Sequence, residues 1–288
     1  MLRFPDHMKL TLIATVLVMN FLSFAVSAQE IGLQLYSLDD QFRTDAATTM
    51  AKVREMGIKQ VEMKGTHGLA FPEFIKLLAI NNINVISFEA DYEKLQKFPQ
   101  VVADEARSYG AKYVVCSVGR ADGALLTPEQ ADKIAQSFNH AGKIISRNGM
   151  ILCYQPSSED FGAHSKGTVF DYLVEKLDSR FVHLEMDVFS AKRGGQDPPS
   201  LMKKYPTRFI LVQLNDGKAT GVLTASASPS PNVVLGAGDV GIKKVMEAAR
   251  ELGIQHLFIE DESSKAEKQI PKSIAYLRTL NVKDSAKK

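Results

Sequence analysis

The sequence has no Trp and only two Cys. Two cysteines cannot make a disulfide scaffold, and any ring stacking on a ligand must come from Tyr or Phe. It also lacks an excess of charge of either sign: 35 Lys and Arg stand against 33 Asp and Glu, a formal net charge of +2. That balance gives no electrostatic reason to expect a nucleic acid or an anionic membrane surface as partner. None of the six His forms an H-x-H or H-E-x-x-H metal pair. There is no G-x-S-x-G nucleophile elbow. No Gly-rich phosphate fingerprint follows the first strand-like run, where Ser37-Leu38-Asp39-Asp40 stands instead. What remains is ordinary globular composition, 45% hydrophobic and 24% charged over 288 residues, enough for one large domain or two small ones.

One long apolar run is present, Leu10 to Phe24, preceded by Lys9 and followed by Ala25-Val26-Ser27-Ala28. A basic flank, a short apolar core and a small-residue end describe an export signal over residues 1–28. The run is short for a membrane span. The mature chain is expected to begin near Gln29 and to be periplasmic or secreted, with the membrane involved only through the signal. Outside the cytoplasm disulfides can form. Cys116 and Cys153 fall in two strand-like runs, so a bond between them and a pair of buried thiols are both open.

From Ile31 onward the chain alternates short apolar runs with amphipathic helical stretches. The runs are Ile31–Tyr36, Gln60–Met63, Val85–Phe88, Tyr113–Ser117, Ile151–Tyr154, Phe181–Met186, Phe209–Leu214 and His256–Ile259. Their lack of strict alternation suits strands buried on both faces. Thr127-Pro128-Glu129-Gln130 opens a helix with a capping Thr and Pro at the first position. Gly57, Gly110, Gly149 and Gly253 each stop a helix a few residues before a strand. Eight such units predict a single α/β domain, a (β/α)8 TIM barrel over residues 29–282, with an open doubly wound sheet as the alternative. The Ser-, Ala-, Gly- and Pro-rich stretch Gly217–Gly238 reads as a loop on the active face. The tail 283–288 is expected to be disordered.

In such a barrel chemistry collects at the C-terminal ends of the strands. Those positions carry Glu62, Glu89, Ser117, Gln155, Asp187, Gln213 with Asp216, and Glu260 with Glu262. Carboxylates that follow apolar runs must be paired, hydrated or metal-bound, by partners such as Lys64, Arg120 or Lys192 in the first case. Their convergence on one mouth predicts a pocket. His67 and His164 fall in loops on the same face. Gly236-Ala237-Gly238-Asp239 reads as a tight turn or as a cradle for an anion.

In order, Ile31-Gly32-Leu33-Gln34-Leu35-Tyr36-Ser37-Leu38, Leu184-Glu185-Met186-Asp187 followed by Gly195-Gln196-Asp197-Pro198, Lys204-Tyr205-Pro206-Thr207-Arg208 leading to Leu214-Asn215-Asp216, Leu235-Gly236-Ala237-Gly238-Asp239 and Phe258-Ile259-Glu260-Asp261 resemble the sugar phosphate isomerase/epimerase family of xylose isomerase-like barrels. The likeness runs from Ile31 to about Leu280. It implies a divalent metal near four strand ends, with Asp187 and Glu260 at the strand-six and strand-eight ligand positions. The family's strand-five Tyr-His-Asn-His motif reads Tyr154-Gln155-Pro156-Ser157 here, followed by Asp160-Phe161. Its strand-seven His is Gln213, and a His after strand three is Glu89. The implied ligand set is thus Asp187, Gln213, Glu260 and Gln155, which is hard and oxygen-rich. It would favour Mn²⁺, Mg²⁺ or Ca²⁺ over Zn²⁺, or hold no metal.

The resemblance implies a small carbohydrate or glycoside as substrate and an isomerase or epimerase that removes a proton alpha to a carbonyl. Glu260, Asp187, Glu89 and Asp160 are its expected catalytic residues. Glu62, Gln155, Arg193 and Asp216 are expected to bind substrate, with Arg193 or Lys218 facing any substrate anion. Two alternatives stand: a lyase or hydrolase on an oxidised glycoside, and a sugar-binding barrel without catalysis. A DNA-repair nuclease would need a His-rich metal cluster and a basic groove, which the sequence lacks.

Overall fold

The computed structural model describes residues 29–120, 123–218 and 232–285, with the backbone alone over 281–285. The expected export segment 1–28, the centre of the 217–238 stretch and residues 286–288 lie outside the described residues. Eight parallel strands close into one barrel. They are β1 (Glu30–Gln34), β2 (Gln60–Met63), β3 (Asn84–Glu89), β4 (Tyr113–Ser117), β5 (Ile151–Gln155), β6 (Val182–Asp187), β7 (Phe209–Leu214) and β8 (His256–Ile259). Each pairs with its sequence neighbours, and β1 closes on β8 in the register Gly32↔Phe258. The (β/α)8 expectation holds, and the open sheet is excluded by that closing pair.

Helices cover the outside. The longest between two strands, Pro128–Arg147, starts where expected: Thr127 Oγ1 accepts from Gln130 N and the Gln130 side chain accepts from Thr127 N. Gly57 and Gly253 have φ of +85° and +71°, conformations that side chains rarely adopt. The last helix, Ala266–Ser285, continues three residues beyond the expected end of the domain. No helix among the described residues is long and apolar enough to cross a membrane.

Two differences from the sequence reading have local causes. The first strand ends at Gln34 rather than Tyr36, because Gln34 Oε1 accepts from Tyr36 N at 2.5 Å and turns the chain into the 3-10 helix Leu35–Leu38. Cys116 and Cys153 are both free and buried. They lie one position out of register on adjacent strands, where Cys116 faces Tyr154 and Val115 faces Cys153. Alternation therefore sends one thiol into the helical layer and the other into the barrel, and they cannot meet.

Inside the barrel, Phe258 packs with Ile86, Val115, Cys153 and Leu211. Its ring lies over Gly32, where a Cβ would stand 2.6 Å from the ring and 2.8 Å from the Gln60 carbonyl. Gly32→Ala is therefore expected to lower stability by about 1–3 kcal/mol through overpacking, read as a drop in the urea midpoint at constant slope.

Candidate active site

Strand parity and depth decide which polar residues reach the mouth. Residues two apart on a strand point the same way, about 6.6 Å apart along it. Gln213 and Asn215 therefore face the barrel axis together, while Asp216 between them and the following loop faces outward. Asp187 lies one step above Glu185, and Lys64 one step above Glu62.

The mouth encloses a cavity of about 430 Å³. From successive elements it is lined by Gln34 and Tyr36, Lys64, Glu89, Ser117, Gln155, Asp187 with Ser190 and Arg193, Gln213 with Asn215, Asn232, and Glu260 with Glu262. Thus Glu89, Gln155, Asp187, Arg193, Gln213 and Glu260 are brought together as the strand-end reading anticipates. Asn232, from the described end of the 217–238 stretch, lines this cavity.

Glu260 is held by a directed chain of amides. Phe189 N donates to Asn215 Oδ1 at 2.9 Å, which leaves Asn215 Nδ2 to donate to Glu260 Oε2 at 2.5 Å. Gln155 Nε2 donates to Gln213 Oε1 at 2.6 Å, and Gln213 Nε2 donates to Glu260 Oε1 at 3.1 Å. Both Glu260 oxygens are thus acceptors, as an ionised carboxylate requires. Burial, then the negative charges of Asp187 and Glu262, push its pKa well above the usual range, against the Asn215 hydrogen bond. The result is a carboxylate fixed in place by two amides and harder to ionise than an exposed one. Asp187 caps the following helix: Oδ1 accepts from Ser190 N at 2.8 Å and Oδ2 from Ser190 Oγ at 2.7 Å. Burial raises its pKa, opposed by those bonds. Across the mouth Glu89 pairs with Lys64 at 2.8 Å and accepts from Gln34 Nε2 at 3.4 Å.

The four residues expected to hold a metal do not form a ligand set as arranged. The Asp187 oxygens are engaged by Ser190, and Gln213 Oε1 by Gln155. Gln213 and Asn215 turn N–H groups, not oxygens, towards Glu260. No cluster of three His, Cys, Asp or Glu among the described residues is suited to a metal ion.

Three expected site residues stand elsewhere. Asp160 is fully buried beneath Ser157. It pairs with Arg120 and accepts from Tyr154 Oη at 2.6 Å and from Ser157 N and Oγ, both at 3.2 Å. Burial raises its pKa to about 6 against the pull of Arg120. Asp216 organises the loop that follows it, accepting from the backbone N–H of Gly217, Gly236, Gly238 and Val240 at 2.9–3.2 Å. The Gly236–Asp239 turn does cradle an anion, and that anion is the chain's own Asp216. Glu62 is 1% exposed, inside the barrel with Ser87 and Glu185. Burial raises Glu62 to about 8, helped by the negative charge of Glu89. Neither Glu185 oxygen, nor Glu62 Oε2, nor Ser87 Oγ, makes a hydrogen bond. Such orphaned buried acids are tolerable only when protonated.

Neither loop His lines the cavity. His67 is buried against Phe42, 4.4 Å between ring centres, with Nδ1 2.8 Å from Asp39. His164 lies against Tyr172. Lys218 pairs with Asp239 at 3.1 Å, which leaves Arg193 as the expected anion-facing cation that lines the cavity. Sequence reasoning missed Asn215 as a site residue. Its signal was its spacing of two from Gln213, which puts both amides on one face.

A closed eight-stranded parallel barrel with helices between its strands defines a (β/α)8 protein, and its mouth is rich in carboxylates. The sequence matches the xylose isomerase-like TIM barrel family over residues 44–280, and the chain belongs to that family. Two solved structures of sugar phosphate isomerase/epimerases from Parabacteroides distasonis are similar. One has a TM-score of 0.72 at 22% identity, covering 89% of this chain and 98% of that one. The other has a TM-score of 0.74 at 21% identity, covering 87% and 98%. A probable 3-DHS dehydratase involved in petrobactin synthesis from Bacillus anthracis superposes with a TM-score of 0.69 at 13% identity, covering 87% and 99%. At these identities the likeness is one of fold. No curated protein matches the chain by sequence.

Proposed function

We propose that this chain is an exported carbohydrate isomerase or epimerase that moves a proton at the carbon alpha to a carbonyl, with Glu260 as the base and without a resident metal. The observation that carries this reading is the amide-held Glu260 carboxylate, desolvated at the floor of a polar cavity. Glu260 takes the alpha proton, and the electron pair of the C–H bond moves onto the carbonyl oxygen to give an enediolate. Arg193 and Lys64 line the same cavity and supply positive charge for that oxygen. In an isomerase the hydroxyl proton on the alpha carbon's oxygen passes to the former carbonyl oxygen, and the protonated Glu260 returns its proton to the former carbonyl carbon as the deprotonated oxygen becomes the new carbonyl. In an epimerase a proton donor on the opposite face completes the step, and the ion-paired Lys64–Glu89 couple across the mouth is the candidate, with the Lys64 ammonium as its acidic member. Export places the protein among free sugars and glycosides rather than sugar phosphates, which are mainly cytoplasmic.

The test is incubation of the full chain with aldoses and ketoses in deuterated water, followed by proton NMR. Time-dependent deuterium at the carbon alpha to the carbonyl is the expected result. Saturable sugar binding with no deuterium uptake from any sugar would overturn the catalytic reading in favour of a binding barrel.

A further inference from the structure

A second cavity, of about 370 Å³, lies on the same face of the barrel, formed by the segments that follow β1 and β8. It shares two walls with the first: Tyr36 and Glu262 line both. Its other walls include Ser37, Asp40, Gln41 and Ser264. Tyr36 is 46% exposed. It is placed there because the 3-10 turn at Gln34 ends β1 early and lifts it to the rim. Each chamber alone is near the lower end of small-ligand sites, ~300–1,000 Å³. Side by side, with Tyr36 and Glu262 as their common boundary, the two match a molecule with two linked parts.

The chemistry of the second chamber selects what that other part is. Asp39, Asp40 and Glu262 line it, and no Lys or Arg does. Arg43, which does not line the chamber, is held on Asp39 at 2.7 Å. Carboxylates and hydroxyls are good acceptors for sugar hydroxyls, and an exposed phenol ring suits the apolar face of a sugar. The same carboxylates repel a phosphate or a uronate. We infer that the substrate is a neutral glycoside of at least two rings, whose reacting ring occupies the Glu260 chamber and whose second ring occupies the chamber beyond Tyr36. This rests on the proton-transfer reading for the choice of reacting ring, but the second chamber stands on its own geometry.

The experiment is isothermal calorimetry of the full chain with glucose, glucose 6-phosphate, cellobiose, maltose, trehalose and lactose. At least one disaccharide is expected to bind about tenfold or more tightly than glucose, and glucose 6-phosphate no more tightly than glucose. Ser264→Phe, which fills the second chamber from an exposed position, is expected to abolish the disaccharide advantage and leave glucose affinity unchanged. Asp40→Ala, also at the surface, is expected to reduce it in the same selective way. Equal affinity for glucose and every disaccharide overturns the inference, as does an advantage that survives both substitutions. Absence of binding by all six sugars overturns it too. Deuterium uptake separates the two readings. A disaccharide advantage with no uptake from any sugar leaves the two-ring site standing and overturns the catalytic reading. Uptake from glucose as fast as from any disaccharide, with equal affinities, does the reverse.

Discussion

Glu260→Gln is expected to lower the rate of alpha-proton exchange by about 10²–10⁴-fold, the usual contribution of a general base. Sugar affinity should change little, since the cavity keeps its shape. The substitution replaces an acceptor-only carboxylate with an amide that has one acceptor oxygen. The Gln213 and Asn215 amides both donate to this side chain, so one of them loses its partner. A stability cost of about 1–3 kcal/mol is expected from that unmatched donor, which thermal melting checks. A variant with the wild-type exchange rate would remove Glu260 from the mechanism. Asn215→Asp offers a second reading of the same residue. A carboxylate set against Glu260 raises the Glu260 pKa further, so the acidic limb of the pH–rate profile is expected to move to higher pH. An unmoved limb would mean that another group sets it.

Stability should fall as pH rises from about 4.5 towards 8, and Glu62 should be a principal cause. Its pKa in the folded chain is raised from 4.5 to about 8. The native state therefore binds that proton more tightly than the unfolded state does. The stabilisation is fully present below the unfolded value and is lost as pH rises through the folded one. Each pKa unit corresponds to about 1.4 kcal/mol, so the loss attributable to Glu62 is about 3–5 kcal/mol. Glu62→Gln keeps the volume and removes the ionisation. It is expected to match wild type near pH 4.5 and to be the more stable protein by several kcal/mol near pH 9, by urea unfolding at each pH. The slope should shrink rather than vanish, because burial also raises Glu185 and Asp187. An unchanged slope in Glu62→Gln would mean that Glu62 is already neutralised by a partner.

The barrel was legible because its signals repeat. Eight apolar runs, all but the first preceded by a helix and four of those seven helices ended by glycine, leave few alternatives, and seven of the eight strands agree with their runs to within one residue at each end. Only the first departs further, where a side-chain oxygen of Gln34 captures a backbone N–H and bends the chain. The site was legible in outline because function in this fold lies at strand ends, which a run of apolar residues followed by a carboxylate marks directly. What a one-dimensional reading missed was depth and parity. Glu62 and Lys64 belong to one strand end and one face, yet only Lys64 reaches the mouth. Asp216 follows Asn215 by a single residue and therefore turns away, where four backbone N–H groups take it. Asp160 matches the family motif, but its role here is to anchor Arg120, Tyr154 and Ser157 beneath the cavity wall. Side-chain direction also decides the amide chain. Asn215 and Gln213 present oxygens to a metal or N–H groups to a carboxylate depending only on which way each is turned; Phe189 N turns Asn215, and Gln155 Nε2 turns Gln213.

The most direct test of proton transfer by an amide-held Glu260 without a metal is deuterium uptake by chelator-stripped protein, measured before and after Mg²⁺, Mn²⁺, Ca²⁺, Co²⁺ or Zn²⁺ is restored. Undiminished uptake in the stripped protein, lost in Glu260→Gln, is the predicted result. Uptake that disappears with the chelator, returns with one of these ions and fails to return in Asp187→Asn would contradict it, and would make Gln155 and Gln213 ligands rather than supports of the base.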